Sequence, residues 1–146
     1  MTNDVLKEPR ILDFPKISDP RGNLTFLEGL RHVPFKIRRA YWIYDVPGGE
    51  VRGGHAYKKL EEVVISLSGS FDVIVDYGQR TQLFSLNRSY YGLYIPNLCW
   101  RQFVHFSTNA VALVAASEPF AENDYILNFE EYVKLRNHVH TIDVRK

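Results

Sequence analysis

Residues 63–77 constrain the architecture more than any other stretch. Val63 to Leu67 is nearly all apolar, the pattern of a strand covered on both faces. Ser68-Gly69-Ser70 makes a tight turn, and Phe71 to Tyr77 alternates apolar and polar side chains, the two-residue period of a half-buried strand. The rest of the chain repeats the theme. Ile11 to Phe14 and Leu24 to Glu28 read as short strands on either side of the turn Ser18-Asp19-Pro20-Arg21-Gly22-Asn23. Ile37 to Val46 is rich in β-branched and aromatic residues and stops at Pro47-Gly48-Gly49. Thr81 to Leu86, Gly92 to Ile95, Trp100 to Phe106 and Val111 to Ala116 complete a set of short strands with turn signals between them, which predicts a sandwich or small barrel. The tail changes period. Phe129, Tyr132, Val133 and Leu135 fall near helical spacing behind Asn128, a good N-cap, which predicts one helix over 128–138. Residues 1–10 are polar and predict a flexible start to a single domain spanning 1–146.

Composition narrows the partners. A length of 146 residues with 45% apolar content suits one domain with its own core. A formal net charge of +1 gives no electrostatic reason to expect nucleic acid or a membrane surface. The lone Cys99 excludes an internal disulfide framework and fits a reducing compartment, and no apolar run approaches spanning length. A cytoplasmic protein is the expectation.

The segment from Arg52 to Glu62, with Gly69 beyond it, resembles the first signature of the cupins, a β-barrel superfamily that often binds metal. The metal-binding form carries His-x-His, then Glu, then Gly. Here His55, Tyr57, Glu62 and Gly69 stand at those places. The second signature is a Pro with a His five residues on, and Pro96 is followed at that spacing by Arg101. A guanidinium has no lone pair to give a metal. The resemblance therefore implies a cupin jelly-roll barrel with a short C-terminal helix, a dismantled metal site and no cofactor.

Several side chains could carry chemistry. His55 is either a satisfied core histidine or a proton-transfer group, and imidazole titrates nearest neutrality. Tyr57 would share its face if the segment is a strand, as a proton relay partner or as packing. Arg38 and Arg39 fall on opposite faces of their strand, so one points inward; arginine forks suit diphosphate oxygens, and Arg52 and Arg21 are further candidates. Arg101 in a barrel interior would need an anionic ligand or a carboxylate partner.

Taken together, the chain is similar to the sugar-nucleotide 3,4-ketoisomerases of the WxcM-like, FdtA/QdtA-like group. The likeness runs through Asp19-Pro20-Arg21-Gly22-Asn23-Leu24, Val33 to Tyr41, Arg52 to Leu60, Gly92 to Ile95 with Trp100, and Ala116-Ser117-Glu118 with Asn123 to Ile126. It implies metal-free conversion of dTDP-4-keto-6-deoxyglucose to a 3-keto sugar and a homodimer with exchanged N-terminal strands. By this resemblance His55 and Tyr57 are catalytic, and Arg21, Arg39, Arg52, Trp100 and Arg101 contact substrate. The family usually carries a second His where Tyr57 stands. Two other readings share the scaffold: a sugar-nucleotide 3,5-epimerase, which pairs a His base with a Tyr acid, and a nucleotide-sugar-binding module without catalysis.

Overall fold

The computed structural model describes residues 7–145, with side chains described to Val139. The expected flexible start falls largely on residues 1–6, outside the described range; Arg10 already begins a strand. The elements are β1 (Arg10–Asp13), β2 (Lys16–Asp19), β3 (Gly22–Thr25), β4 (Arg39–Ile43), β5 (Arg52–Tyr57), β6 (Glu62–Ser68), β7 (Phe71–Asp76), β8 (Thr81–Leu86), β9 (Tyr91–Ile95), β10 (Trp100–Val104), β11 (Val111–Ala116), β12 (Tyr125–Ile126) and α1 (Phe129–Arg145).

Two five-stranded sheets face each other, ordered β1-β9-β6-β11-β4 and β12-β5-β10-β7-β8, and among the described residues β2 pairs only with β3. This is the jelly-roll layering the sequence implied, with one correction: the sheets do not close into a barrel. Closure requires hydrogen bonds between edge strands. Here β8 and β9, adjacent in the chain, belong to different sheets, and β4 and β12 stay edges.

The core lies between the layers, where Val64, Leu93, Ile95, Ala112 and Val114 of one sheet meet Phe71, Val73, Val75 and Phe103 of the other. Strand β6 is covered on its other face too: Val63 and Ile65 pack with Phe14, Val33, Phe35 and Tyr94. That double burial is why 63–67 carries no polar alternation. The hairpin β6–β7 turns at Gly69, whose φ of +67° and approach to Ala110 leave no room for a side chain.

The helix starts where expected. Asn128 Oδ1 accepts the Glu131 N–H at 3.0 Å, and Glu130 and Glu131 lie in the first turn. It runs past the expected end at 138, because no Gly or Pro interrupts the sequence before Arg145. Tyr132 anchors it to the second sheet, packing on Ala56, Leu98 and Ile126 and donating its hydroxyl to the Asp76 carbonyl at 2.7 Å.

Candidate active site

Strand β5 is the spine of the site. Its alternation sends Gly53, His55 and Tyr57 into a cleft of about 390 Å³ between the β4 edge of one sheet and β5 of the other. Strand β4 contributes Arg39, Tyr41 and Ile43, and β10 contributes Arg101. Antiparallel register sets Arg101 directly opposite His55, and β12 sets Tyr125 opposite Tyr57. Phe120 and Arg52 stand with them in the lining.

Arg101 is the floor. It is 1% exposed, and so is its partner Glu62. Arg101 Nε donates to Glu62 Oε1 at 2.7 Å, Nη2 donates to Glu62 Oε2 at 3.2 Å and to the Tyr41 hydroxyl at 3.1 Å, and Nη1 donates to the Gly53 carbonyl at 2.6 Å. The carboxylate partner that a buried guanidinium demands is thus Glu62. Gly53 is glycine for the same reason: a Cβ there would lie 2.4 Å from Arg101 Nη1, and the residue sits at φ +74°. Among the described residues no three His, Cys, Asp or Glu side chains converge as metal ligands.

His55 is wedged between aromatic rings, 4.8 Å from the Tyr57 centroid and 4.9 Å from that of Tyr125. Burial, and then the charge of Arg101, lower its pKa to about 3, so the ring is neutral at physiological pH. Tyr41 and Tyr57 shift the other way, well above the usual phenol range; burial acts first and the Glu62 carboxylate second. The Tyr57 ring packs against that of Tyr125, their centroids 4.7 Å apart. Burial opposes the charge on Arg101, but Glu62, Tyr41 and Tyr57 more than restore it. The cleft therefore combines a neutral imidazole, phenols that keep their protons and a fixed cation.

Among the described residues, two buried side-chain polar atoms lack a hydrogen-bond partner: His55 Nε2 and Arg39 Nε. Both belong to residues lining this cleft. Buried polar groups are normally satisfied, so two exceptions lining one cleft make it the candidate binding site. The Arg39 guanidinium rests over the Tyr41 and Phe120 rings, 5.2 and 5.6 Å from their centroids.

The structure gathers His55, Tyr57, Arg39, Arg52 and Arg101 in one cleft. It does not gather the other two sequence candidates. Trp100 faces away from Arg101, as strand alternation requires, and packs edge-on against Phe129 of α1 at 5.3 Å. Arg21 sits at the exposed β2–β3 turn, its Nη2 2.8 Å from Asp19 Oδ2. Arg38, the outward neighbour of Arg39, pairs loosely with Glu118 at 3.8 Å. Tyr41, Phe120 and Tyr125 were not identified from sequence. Tyr41 could have been found, since the alternation that turns Arg39 inward turns Tyr41 inward too. Phe120 and Tyr125 come from an irregular segment whose path no periodicity reveals.

The chain is 40% identical over 127 residues to a TDP-4-oxo-6-deoxy-alpha-D-glucose-3,4-oxoisomerase of Aneurinibacillus thermoaerophilus, covering 87% of this chain and 91% of that protein. It superimposes with a TM-score of 0.88 and 36% identity on a His-to-Asn variant of the 3,4-ketoisomerase QdtA from Thermoanaerobacterium thermosaccharolyticum, crystallised with TDP-4-keto-6-deoxyglucose, covering 92% of this chain and 97% of that one. The WlaRB TDP-quinovose 3,4-ketoisomerase of Campylobacter jejuni gives a TM-score of 0.84 at 41% identity, over 88% and 99%. Over residues 7–137 the chain matches, and it belongs to, the FdtA family, described as WxcM-like, C-terminal.

Proposed function

We propose that this chain is an isomerase that moves the carbonyl of TDP-4-keto-6-deoxyglucose from C4 to C3. The observation that carries the reading is the buried, unpartnered Nε2 of a neutral His55, set across a strand pair from the Arg101 cation. A hydrogen beside a ketone is acidic because its electron pair can move to the carbonyl oxygen. His55 removes the C3 proton, and the C4 oxygen takes up the charge and a proton to give an enediol. The C3 hydroxyl then surrenders its proton, C4 receives one, and the carbonyl stands at C3. Within the protein, burial and Arg101 both disfavour imidazolium. Beside a developing enediolate the same cation is stabilised, so proton transfer is coupled to charge formation on the sugar.

Tyr57 supplies an un-ionised donor to the sugar oxygens at the place where relatives usually carry a second His. Arg101 steadies the enediolate. Arg39 and Arg52 hold the diphosphate at the mouth, which gives the unpaired Arg39 Nε its acceptor. Trp100 acts on the ligand only through its packing. We further propose a homodimer formed by exchange of N-terminal strands, supported by the exposed Ile17–Leu24 pair of a hairpin that, among the described residues, bonds to no other strand. In such a dimer Arg21 reaches a partner's cleft instead of its own. An intracellular site of action fits the single buried Cys99.

The test is incubation with the 4-ketosugar in heavy water, followed by proton NMR of the product. The expected result is a 3-keto product with deuterium at C4, and loss of turnover by at least about a thousandfold in His55→Asn. A carbonyl left at C4 with exchange at C3 or C5 would assign an epimerase, and ligand binding without exchange would assign a binding module.

A further inference from the structure

We propose that Glu62 is the positioning residue of this reaction: it holds the Arg101 guanidinium in the cleft opposite His55, aimed at the oxygen that becomes the enediolate. The inference rests on the ketoisomerase reading above.

An arginine carries five N–H groups in a rigid plane. Among the described residues, Glu62, Tyr41 and Gly53 take four of those of Arg101. The fifth, on Nη1, is left for the cleft that Arg101 lines. The plane is gripped on three sides, so that N–H has little freedom. Glu62 is the only one of the three grips that spans both Nε and Nη2, and two parallel bonds fix orientation as well as position. Its other oxygen contact, from the Tyr41 hydroxyl at 3.3 Å, closes a ring of Glu62, Tyr41 and Arg101.

Stability does not explain such a pair. Buried ion pairs can usually be replaced by apolar residues of similar volume without loss, because desolvation offsets their attraction. With Arg101 also replaced by an apolar residue, position 62, set opposite Ile95 in the β6–β9 ladder, would accept a leucine. What a leucine cannot do is hold a cation still beneath a sugar oxygen. Glu62 also supplies the carboxylate that keeps the buried guanidinium charged. Preorganised charge of this kind acts on the transition state more than on the bound substrate.

The experiment compares kcat and KM for the ketosugar, and TDP affinity by calorimetry, in wild type, Glu62→Gln, Glu62→Asp, Arg101→Gln and the double variant Glu62→Gln/Arg101→Gln. Glu62→Gln is expected to lower kcat by about 100-fold, with KM and TDP affinity within about threefold of wild type. Glu62→Asp, which keeps the charge and draws the carboxylate back by one methylene, is expected to cost about tenfold in kcat, and it decides the matter if the Gln variant does not fold. In the Arg101→Gln background, Glu62→Gln should cost less than about threefold more, since it acts through the residue already lost. Wild-type kcat in Glu62→Asp, or an equal cost with and without Arg101, overturns the inference and leaves the ketoisomerase in place. A wild-type enzyme that does not move the carbonyl overturns both.

Discussion

His55 holds two properties in tension. In the proposed reaction it accepts a proton, yet its surroundings keep protons off it, first by burial and then through Arg101. The tension has a signature in stability. An unfolded histidine titrates near 6.5, whereas the folded ring titrates at about 3. Between those values the unfolded chain binds the extra proton, so stability is full above pH 6.5 and is lost as pH falls toward 3. From pH 7 to pH 5 the wild type is expected to lose about 2 kcal/mol more than His55→Asn, which has no such proton to gain. Urea unfolding of both proteins at the two pH values measures the difference; equal losses would mean that the ring is not desolvated in the fold. The place of His55 in the cleft was legible because few residue types suit proton transfer and a glycine pair precedes it. The low basicity was not legible, since it depends on Tyr125 and Arg101, which reach the ring only through register.

At the scale of elements, the cleft depends on one short strap. Asp124 accepts the N–H groups of Lys59 and Leu60 at 2.9 and 3.0 Å, and its own carbonyl accepts that of Lys58 at 2.9 Å. These bonds tie the segment before β12 to the end of β5, which places Tyr125 against His55. Asp124→Ala would strand two backbone donors and is expected to cost about 2 kcal/mol, with a fall in kcat as Tyr125 loosens; Asp124→Asn, which retains one acceptor oxygen, should recover part of both. Calorimetric melting and steady-state rates check the pair, and an unchanged rate in Asp124→Ala would show that the strap does not position the ring. Long elements were read well from sequence. Strands β6 and β7 and the helix start carry strong periodicity and a cap, and β4 was recognised but drawn longer than Arg39–Ile43. The two-residue β12 and the self-paired β2 were missed, because so few residues generate no period. The barrel implied by resemblance became a sandwich, since edge pairing depends on strand ends that no local pattern specifies.

For the whole molecule, the surface bears on assembly. Ile17 and Leu24 face each other across β2 and β3, and both remain more than half exposed. In the proposed dimer a second copy of the chain covers this hairpin. Light scattering is expected to give the mass of two chains, and Leu24→Asp is expected to yield single chains with reduced turnover if Arg21 serves the neighbouring cleft. A wild type that stays a single chain at tens of micromolar, a concentration range where stable dimers persist, would remove the exchanged-strand proposal. The cleft has a final consequence for how the protein comes into being. Arg101 meets Glu62 across 39 positions, Gly53 across 48 and Tyr41 across 60. Contacts of such long range close late and slowly during folding. The cleft is therefore complete only once the strands of both sheets have come together around Arg101.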